Sequence, residues 1–244
     1  GVVGVGYLGA IHARIYAAMS GVELVGVTDI DGHAATRVAE ECGCSAYNEP
    51  EALLDKADAV SIVVPTSSHR LVAEPYLRHG MHVLLEKPIA DHLTNARAVV
   101  KAAEETGVIL QIGHLERFNA GVVRLVQELD RPRFIEVHRL GPFVSRAADV
   151  DVVTDLMIHD IDIVLSLVTA DLTYVSAVGA RVVSAHVDIA NARLEFSDGT
   201  IANVTASRVS SRKFRRIRVF GEACYLGLDF VNQQVEVSRR TPHI

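Results

Sequence analysis

The chain has 244 residues, 49% of them hydrophobic and 22% charged, with a formal net charge of −6. The length allows one large or two ordinary domains, the composition excludes a disordered chain, and the negative charge argues against nucleic acid or an anionic membrane surface as partner. Three cysteines, two of them as Cys42-Gly-Cys44, form no disulfide or zinc-finger spacing and read as reduced thiols of a cytoplasmic protein; no apolar run is long enough to cross a bilayer, and no signal peptide is visible.

The chain opens at Gly1 inside what reads as a strand, so a few residues are expected before it. "GVVGV" is a short apolar run ended by glycine, and "LGAIHARIYAAM" follows with helical spacing. "VELVGVTDI" is a β-branched run. "DGHAATRVAEECG" is a helix with Asp31 as N-cap and Gly43 as its stop. The cycle repeats through "DAVSIVVP", "SHRLVAEPYLRHG", "MHVLLEKP", "HLTNARAVVKAAEETG" and "VILQIGH". Nearly all-apolar strands separated by helices predict a doubly wound parallel sheet covered on both faces. Near Phe118 the rhythm changes, which sets the expected domains at 1–117 and 118–244. "GVVRLVQEL" reads as a helix and "RFIEVHRLG" as a strand; a helix containing "TDLMIHDIDIVLSL" comes next. The alternating runs "YVSAVGARVV", "VDIANARLEF", "TIANVTASRV", "FRRIRVFG" and "VNQQVEV", with a hairpin signal at "SDG", predict a mostly antiparallel open sheet with helices on one face. The basic run "SRKFRRIRV" alternates with Phe214, Ile217 and Val219. It therefore reads as a strand with a charged solvent face, or a subunit contact, and not as a nucleic-acid patch.

Chemistry enters first at "GVGYLG", Gly4-x-Gly6-x-x-Gly9, between a strand and a helix. Gly4 permits the tight turn, Gly6 lets backbone approach a pyrophosphate, and Gly9 lets the helix pack close to the sheet. With Tyr7 and Leu8 these residues form a turn whose N–H groups and helix dipole face phosphates. Asp29, twenty residues beyond Gly9, ends the next strand, where an acid hydrogen-bonds the adenosine ribose. The bland alternative is a plain turn plus a capping aspartate. Asp29 would repel a 2′-phosphate, and neither Ile30 nor Asp31 can bind one, so NAD is expected over NADP.

Ligands of such a sheet bind at the carboxyl ends of the strands. "VPTSSH" brings Pro65, Thr66 and His69 to that edge, although Thr66 and Ser67 could equally be helix caps. "EKP" brings Glu86, Lys87 and Pro88. Lys87 could be a snorkelling surface residue, but the proline holds it extended. "GHLERFN" ends the last strand of the series. These stretches, in this order and with an Asp-x-x-x-His element early in the second domain, make the whole chain resemble the Gfo/Idh/MocA family of NAD(P)-dependent sugar and polyol oxidoreductases. Two departures stand out. The chain stops at "SRRTPHI", where members usually continue, so it is expected to be incomplete. The "GGG" run that often precedes the Asp-x-x-x-His element is replaced by "ADVDVVTDLMIHD".

Asp155 and His159 are four apart and share a helix face; Asp162 follows on the same side, and Asp160 points elsewhere. The residues alone leave three readings open: a catalytic dyad, a metal site with a third ligand, or buried polar groups paired with backbone ends or arginines. The resemblance implies the first, with no metal: Asp155 orients His159, His159 transfers the proton, and Lys87 stabilises the reacting oxygen, while Asp160 and Asp162 are structural. Arg117 and Asn119 either border cofactor and substrate or form a salt bridge and a helix cap. "GHLERFN" with "DLMIHDID" is most similar to members acting on nucleotide-linked amino sugars, of the UDP-N-acetylhexosamine 3-dehydrogenase type; free inositols and simple sugars stay open. Two rivals remain, an NAD-dependent glycosidase working by transient oxidation and a non-catalytic NAD-binding regulator. A homodimer or homotetramer through the second-domain sheet is expected.

Overall fold

Residues 1–143 and 150–240 are described by the structure, a computed structural model. Contacts divide the chain into two units, Gly1–Gly113 and His114–Ile244. In the first, the short apolar runs form β1 (Val2–Val3), β2 (Gly26–Thr28), β3 (Ser45–Tyr47), β4 (Ala59–Ile62), β5 (His82–Leu85) and β6 (Leu110–Ile112). They hydrogen-bond in the order β3-β2-β1-β4-β5-β6, every pair parallel. The helices between them are α1 (Tyr7–Ala18), α2 (Gly32–Cys42), α3 (His69–Arg78) and α4 (Leu93–Thr106). Neighbouring residues of β1 enter different cores. Val2 packs with Ala13, Ala35 and Val38 of α1 and α2, and Val3 with Ala73, Leu77, Val99 and Ala102 of α3 and α4. Alternation along the strand thus covers both sheet faces. The ends of α2 match the sequence pattern: Asp31 accepts a hydrogen bond from the His33 N–H at 3.0 Å, and Gly43 takes the left-handed conformation with φ 69°.

The second unit contains α5 (Ala120–Glu128), α6 (Ile158–Leu167) and seven strands: β7 (Pro132–Leu140), β8 (Leu172–Ala180), β9 (Ile189–Phe196), β10 (Ile201–Ser207), β11 (Phe214–Gly221), β12 (Cys224–Asp229) and β13 (Gln234–Arg239). Their order is β13-β12-β11-β7-β10-β9-β8. Five of the pairings are antiparallel, including the β9–β10 hairpin closed by Gly199 at φ 84°. The sixth, β7 with β10, is parallel. Parallel neighbours require a long crossover; here the charged helix and the β8–β9 strands lie between β7 and β10 in the chain. Ile135, Val137, Ala202, Val204, Ile217 and Val219 line one sheet face and pack with Val122, Leu125, Ile163 and Val164 of the two helices. The opposite face carries Phe134, Phe220 and Tyr225 in aromatic contact. Strand β12, "CYLGLD", has no counterpart among the alternating runs read above, because Leu226, Gly227 and Leu228 are all buried and break the alternation. Residues 148 and 149 of "ADVDVVTDLMIHD" and the final 241–244 lie outside the described residues. Among the described residues no helix is long and apolar enough to cross a membrane.

Candidate active site

The glycine turn of the first unit is shaped by steric necessity. Gly4 has φ 82°, and a Cβ there would stand 2.4 Å from the Val63 carbonyl oxygen. A Cβ on Gly9 would stand 1.8 Å from the Gly4 carbonyl oxygen. Gly6 differs: a Cβ there would meet nothing within 4 Å. Its backbone borders open space at the start of α1, where no side chain among the described residues caps the helix. The first-turn N–H groups are therefore available to an anion. Tyr7, 84% exposed, and the partly exposed Leu8 flank this opening. Asp29 reaches the same turn, its carboxylate accepting hydrogen bonds from the Val5 N–H at 2.6 Å and the Asp31 N–H at 2.9 Å. Ile30 beside it is fully exposed.

Further along the edge, Pro65 is exposed and Thr66 half-buried, and neither Thr66 nor Ser67 caps α3. His69 is 1% exposed. Its Nδ1 lies 2.9 Å from the Pro88 carbonyl oxygen and its Nε2 3.0 Å from that of Val64. Glu86 is buried, and its Oε2 accepts the Lys87 N–H at 3.2 Å. Lys87 is half-buried and its peptide bond to Pro88 is cis. His12, on α1, was not singled out by the sequence. It is buried, 2.8 Å from the Ser61 hydroxyl and 3.5 Å from Glu86 Oε1. Burial lowers the pKa of its imidazole, and the nearby Glu86 carboxylate opposes that shift.

In the second unit, the segment read as one uniform helix starts earlier and wider. Asp151 caps it, accepting from the Val153 and Thr154 N–H groups at 2.9 and 2.8 Å and from the Thr154 hydroxyl at 2.9 Å. Val153–Met157 form a π-helical turn that passes into α6. Such turns recur at functional sites, and this one carries Asp155; His159 lies in the first turn of α6, and both are half-buried. Asp160 and Asp162 have arginine partners. Arg139 of β7 grips Asp160 through Nε and Nη2 at 2.8 to 3.0 Å, and its Nη1 reaches Glu116 at 3.0 Å. Burial raises the pKa of the Asp160 carboxyl, and Arg139 opposes the shift. Arg117 holds Asp162 with two bonds of 2.7 and 2.8 Å, and Asn119 caps α5 by accepting the Gly121 N–H at 2.9 Å. The salt bridge and the cap weighed for these two residues are thus both present. Arg215 lies on the same side of β11 as Ile217 and Val219, so only part of the basic run faces away from the helices. Arg216 and Arg218 lie on the opposite side, paired with Glu236 and Glu136. Buried Arg208 pairs with Asp188 at 2.8 Å and donates to the Val150 carbonyl, bracing the approach to Asp151.

Comparison with known proteins places both units. The family model described as "Oxidoreductase family, NAD-binding Rossmann fold" matches residues 1–114, and the GFO/IDH/MocA C-terminal domain matches 121–226. UDP-N-acetylglucosamine 3-dehydrogenase from Acidithiobacillus ferrooxidans is 42% identical over 241 residues, covering 98% of this chain and 76% of that protein. The chain belongs to the Gfo/Idh/MocA family. A solved structure of the same A. ferrooxidans enzyme superposes with a TM-score of 0.94, covering 99% of this chain and 80% of that one. The scyllo-inositol 2-dehydrogenase (NAD(+)) of Bacillus subtilis is 32% identical over 231 residues, covering 86% of this chain and 67% of that protein.

As a Gfo/Idh/MocA member the protein is an NAD-dependent oxidoreductase. The residues present suit the dinucleotide: the open side of Gly6, the uncapped start of α1 and the Asp29 carboxylate stand together at one strand edge. Among the described residues, no cluster of three or more His, Cys, Asp or Glu could hold a metal ion. What sequence reasoning missed are partners distant in the chain. His12 meets Glu86 across 74 positions, and a lone histidine within a helix carries no local sign of that.

Proposed function

We propose that the protein moves a hydride between nicotinamide and a secondary alcohol of a nucleotide-linked amino sugar, with UDP-N-acetylglucosamine as the first candidate. The observation that carries this reading is 42% identity to a UDP-N-acetylglucosamine 3-dehydrogenase over 98% of the chain. NAD, when bound, supplies the hydride acceptor or donor. Gly4, Gly6, Tyr7, Leu8, Gly9, Asp29, Pro65, Thr66, His69, Glu86 and Lys87 form the cofactor edge, with 1–117 as the nucleotide unit and 118–244 as the substrate and oligomerisation unit. Alcohol oxidation also releases a proton from oxygen. His159 accepts that proton, and Asp155 holds the imidazole in the orientation this needs. Lys87 donates a hydrogen bond to the reacting oxygen and stabilises its developing charge. Arg117 and Asn119 border the substrate, with the Asp162 pairing fixing the Arg117 guanidinium.

The relatives reported above are named dehydrogenases and favour neither the glycosidase nor the non-catalytic alternative. Incubation with NAD and UDP-N-acetylglucosamine, beside scyllo-inositol and free sugars, tests the assignment. Absorbance at 340 nm should rise most with the nucleotide sugar. A response confined to the inositol would move the substrate class, and no response across the panel would contradict the proposal. The free cysteines suit a reducing, cytoplasmic setting. The aromatic face of the second-unit sheet suits a homo-oligomer built on Phe134, Phe220 and Tyr225; a monomeric mass in solution would contradict that.

A further inference from the structure

Lys87 stands between two residues that each meet a buried histidine, Pro88 at hydrogen-bond distance and Glu86 by a longer contact. On its C-terminal side is Pro88, whose carbonyl oxygen receives His69 Nδ1 at 2.9 Å. The other ring nitrogen of His69 meets the Val64 carbonyl at 3.0 Å, just past the end of β4. Both partners are acceptors, so whichever ring nitrogen carries a proton donates. The ring thus spans the ends of two adjacent parallel strands, β4 and β5. On the N-terminal side is Glu86, whose Oε2 accepts the Lys87 N–H at 3.2 Å and whose Oε1 lies 3.5 Å from His12 Nε2. His12 is anchored in turn by the Ser61 hydroxyl at 2.8 Å. A Cβ on Gly113 would stand 2.7 Å from Glu86 Oε1, so a side chain there would displace this carboxylate from its present position.

Serine, histidine and glutamate in this order resemble a nucleophilic relay, but Ser61 is 1% exposed and offers its oxygen to no substrate. Packing does not account for the residue types either. Burying two imidazoles and a carboxylate is unfavourable unless their hydrogen bonds are needed, and apolar side chains would fill the same space. The contacts share one property: they converge on the backbone on either side of Lys87. A strand end has lost its sheet partners and would otherwise be loose, whereas a group acting on a reacting oxygen must be held within about 0.5 Å.

We propose that His69 and His12 are positioning residues for Lys87, His69 through the Pro88 carbonyl and His12 through the Glu86 carboxylate that receives the Lys87 amide. This rests on the reading of Lys87 as the group that stabilises the reacting oxygen.

The test uses the full chain with His69→Leu, His69→Gln, His12→Leu and His12→Gln, beside Lys87→Ala. For each, kcat and KM are measured with the alcohol best turned over, NADH affinity by its fluorescence, and hydrogen exchange at the Lys87 amide by NMR. A 1 Å misplacement costs on the order of 10²-fold, so His69→Leu should lower kcat by about that factor. His69→Gln, which keeps one donor, should lower it about tenfold, with KM changed less than about threefold and NADH affinity lowered by a clearly smaller factor than kcat. The His12 variants should follow the same order with smaller losses, and the Lys87 amide should exchange faster in all four. Where a leucine variant fails to fold, the glutamine variant decides. Wild-type kcat in the folded variants, loss of kcat and NADH affinity in equal proportion, or unchanged Lys87 exchange would each overturn the proposal. Near-normal turnover in Lys87→Ala would instead remove the role given to Lys87 itself, which separates the two failures.

Discussion

The two units use buried polar groups differently. In the first, buried His69 and Glu86, with half-buried Asp29 beside them, bind backbone: Val64 and Pro88, Lys87, and Val5 and Asp31. In the second, the two carboxylates of the charged helix bind arginines, Asp160 with Arg139 and Asp162 with Arg117, while Asp188, outside that helix, binds both Arg208 and the backbone N–H groups of Val182, Val183 and Ser184. The difference follows from what each must hold still. A strand-end loop has unpaired backbone groups to be fixed, and a side chain that fixes them shapes the loop directly. The charged helix already satisfies its own backbone. It is placed against the sheet by paired charges, which set orientation more than they add stability.

Breaking the second pattern should give the largest effect. Removing one partner of a buried ion pair leaves the other uncompensated and costs about 3–5 kcal/mol. Arg139→Met strands Asp160, which is 1% exposed, so urea unfolding should show a loss of that order. A loss under about 1 kcal/mol would mean that the pair contributes nothing to placing the helix. The first pattern is sharpened by cofactor preference. Asp29→Ser with Ile30→Arg removes a carboxylate from the glycine turn and adds a cation for a 2′-phosphate. The ratio of kcat/KM for NADP over NAD should rise about tenfold or more. An unmoved ratio would remove Asp29 from the ribose site.

The narrowest of these tests is a pH dependence in the second unit. Burial works to raise the Asp188 carboxyl, but hydrogen bonds from the Val182 and Val183 N–H groups, Ser184 and Arg208 outweigh it and hold the group well below the usual carboxylate range. A carboxyl depressed in the folded state contributes stability above its unfolded pKa, about 3.9, and loses that contribution as pH falls through the folded value. Asp188→Asn should therefore unfold at lower temperature than the parent at pH 7, with the gap narrowing below about pH 4. A gap constant with pH would assign the effect to packing.

Much of this was legible because its causes are local. The helix capped by Asp31 and stopped by Gly43, the Gly4–Gly9 turn and the Asp29 strand end are each specified within a few residues, and the structure forms them. Asp160 and Asp162 read from the sequence only as structural, and pairing with arginines was one of three open readings of their helix; the partners could not be identified, since Arg139 and Arg117 lie 21 and 45 positions away. The π-helical turn at Asp155 escaped because its sequence has ordinary helical spacing, and the parallel β7–β10 pairing because alternation sets a face, not a direction. The same distance in sequence hid His12 behind Glu86.

The proposed role of Lys87, stabilising the reacting oxygen, is tested most directly by the steady-state turnover of Lys87→Ala with UDP-N-acetylglucosamine and saturating NAD. General acid–base and electrostatic contributions of this kind are worth about 10²–10⁴-fold, so kcat should fall by that factor while NADH affinity stays within about threefold. Turnover close to that of the parent would contradict the account.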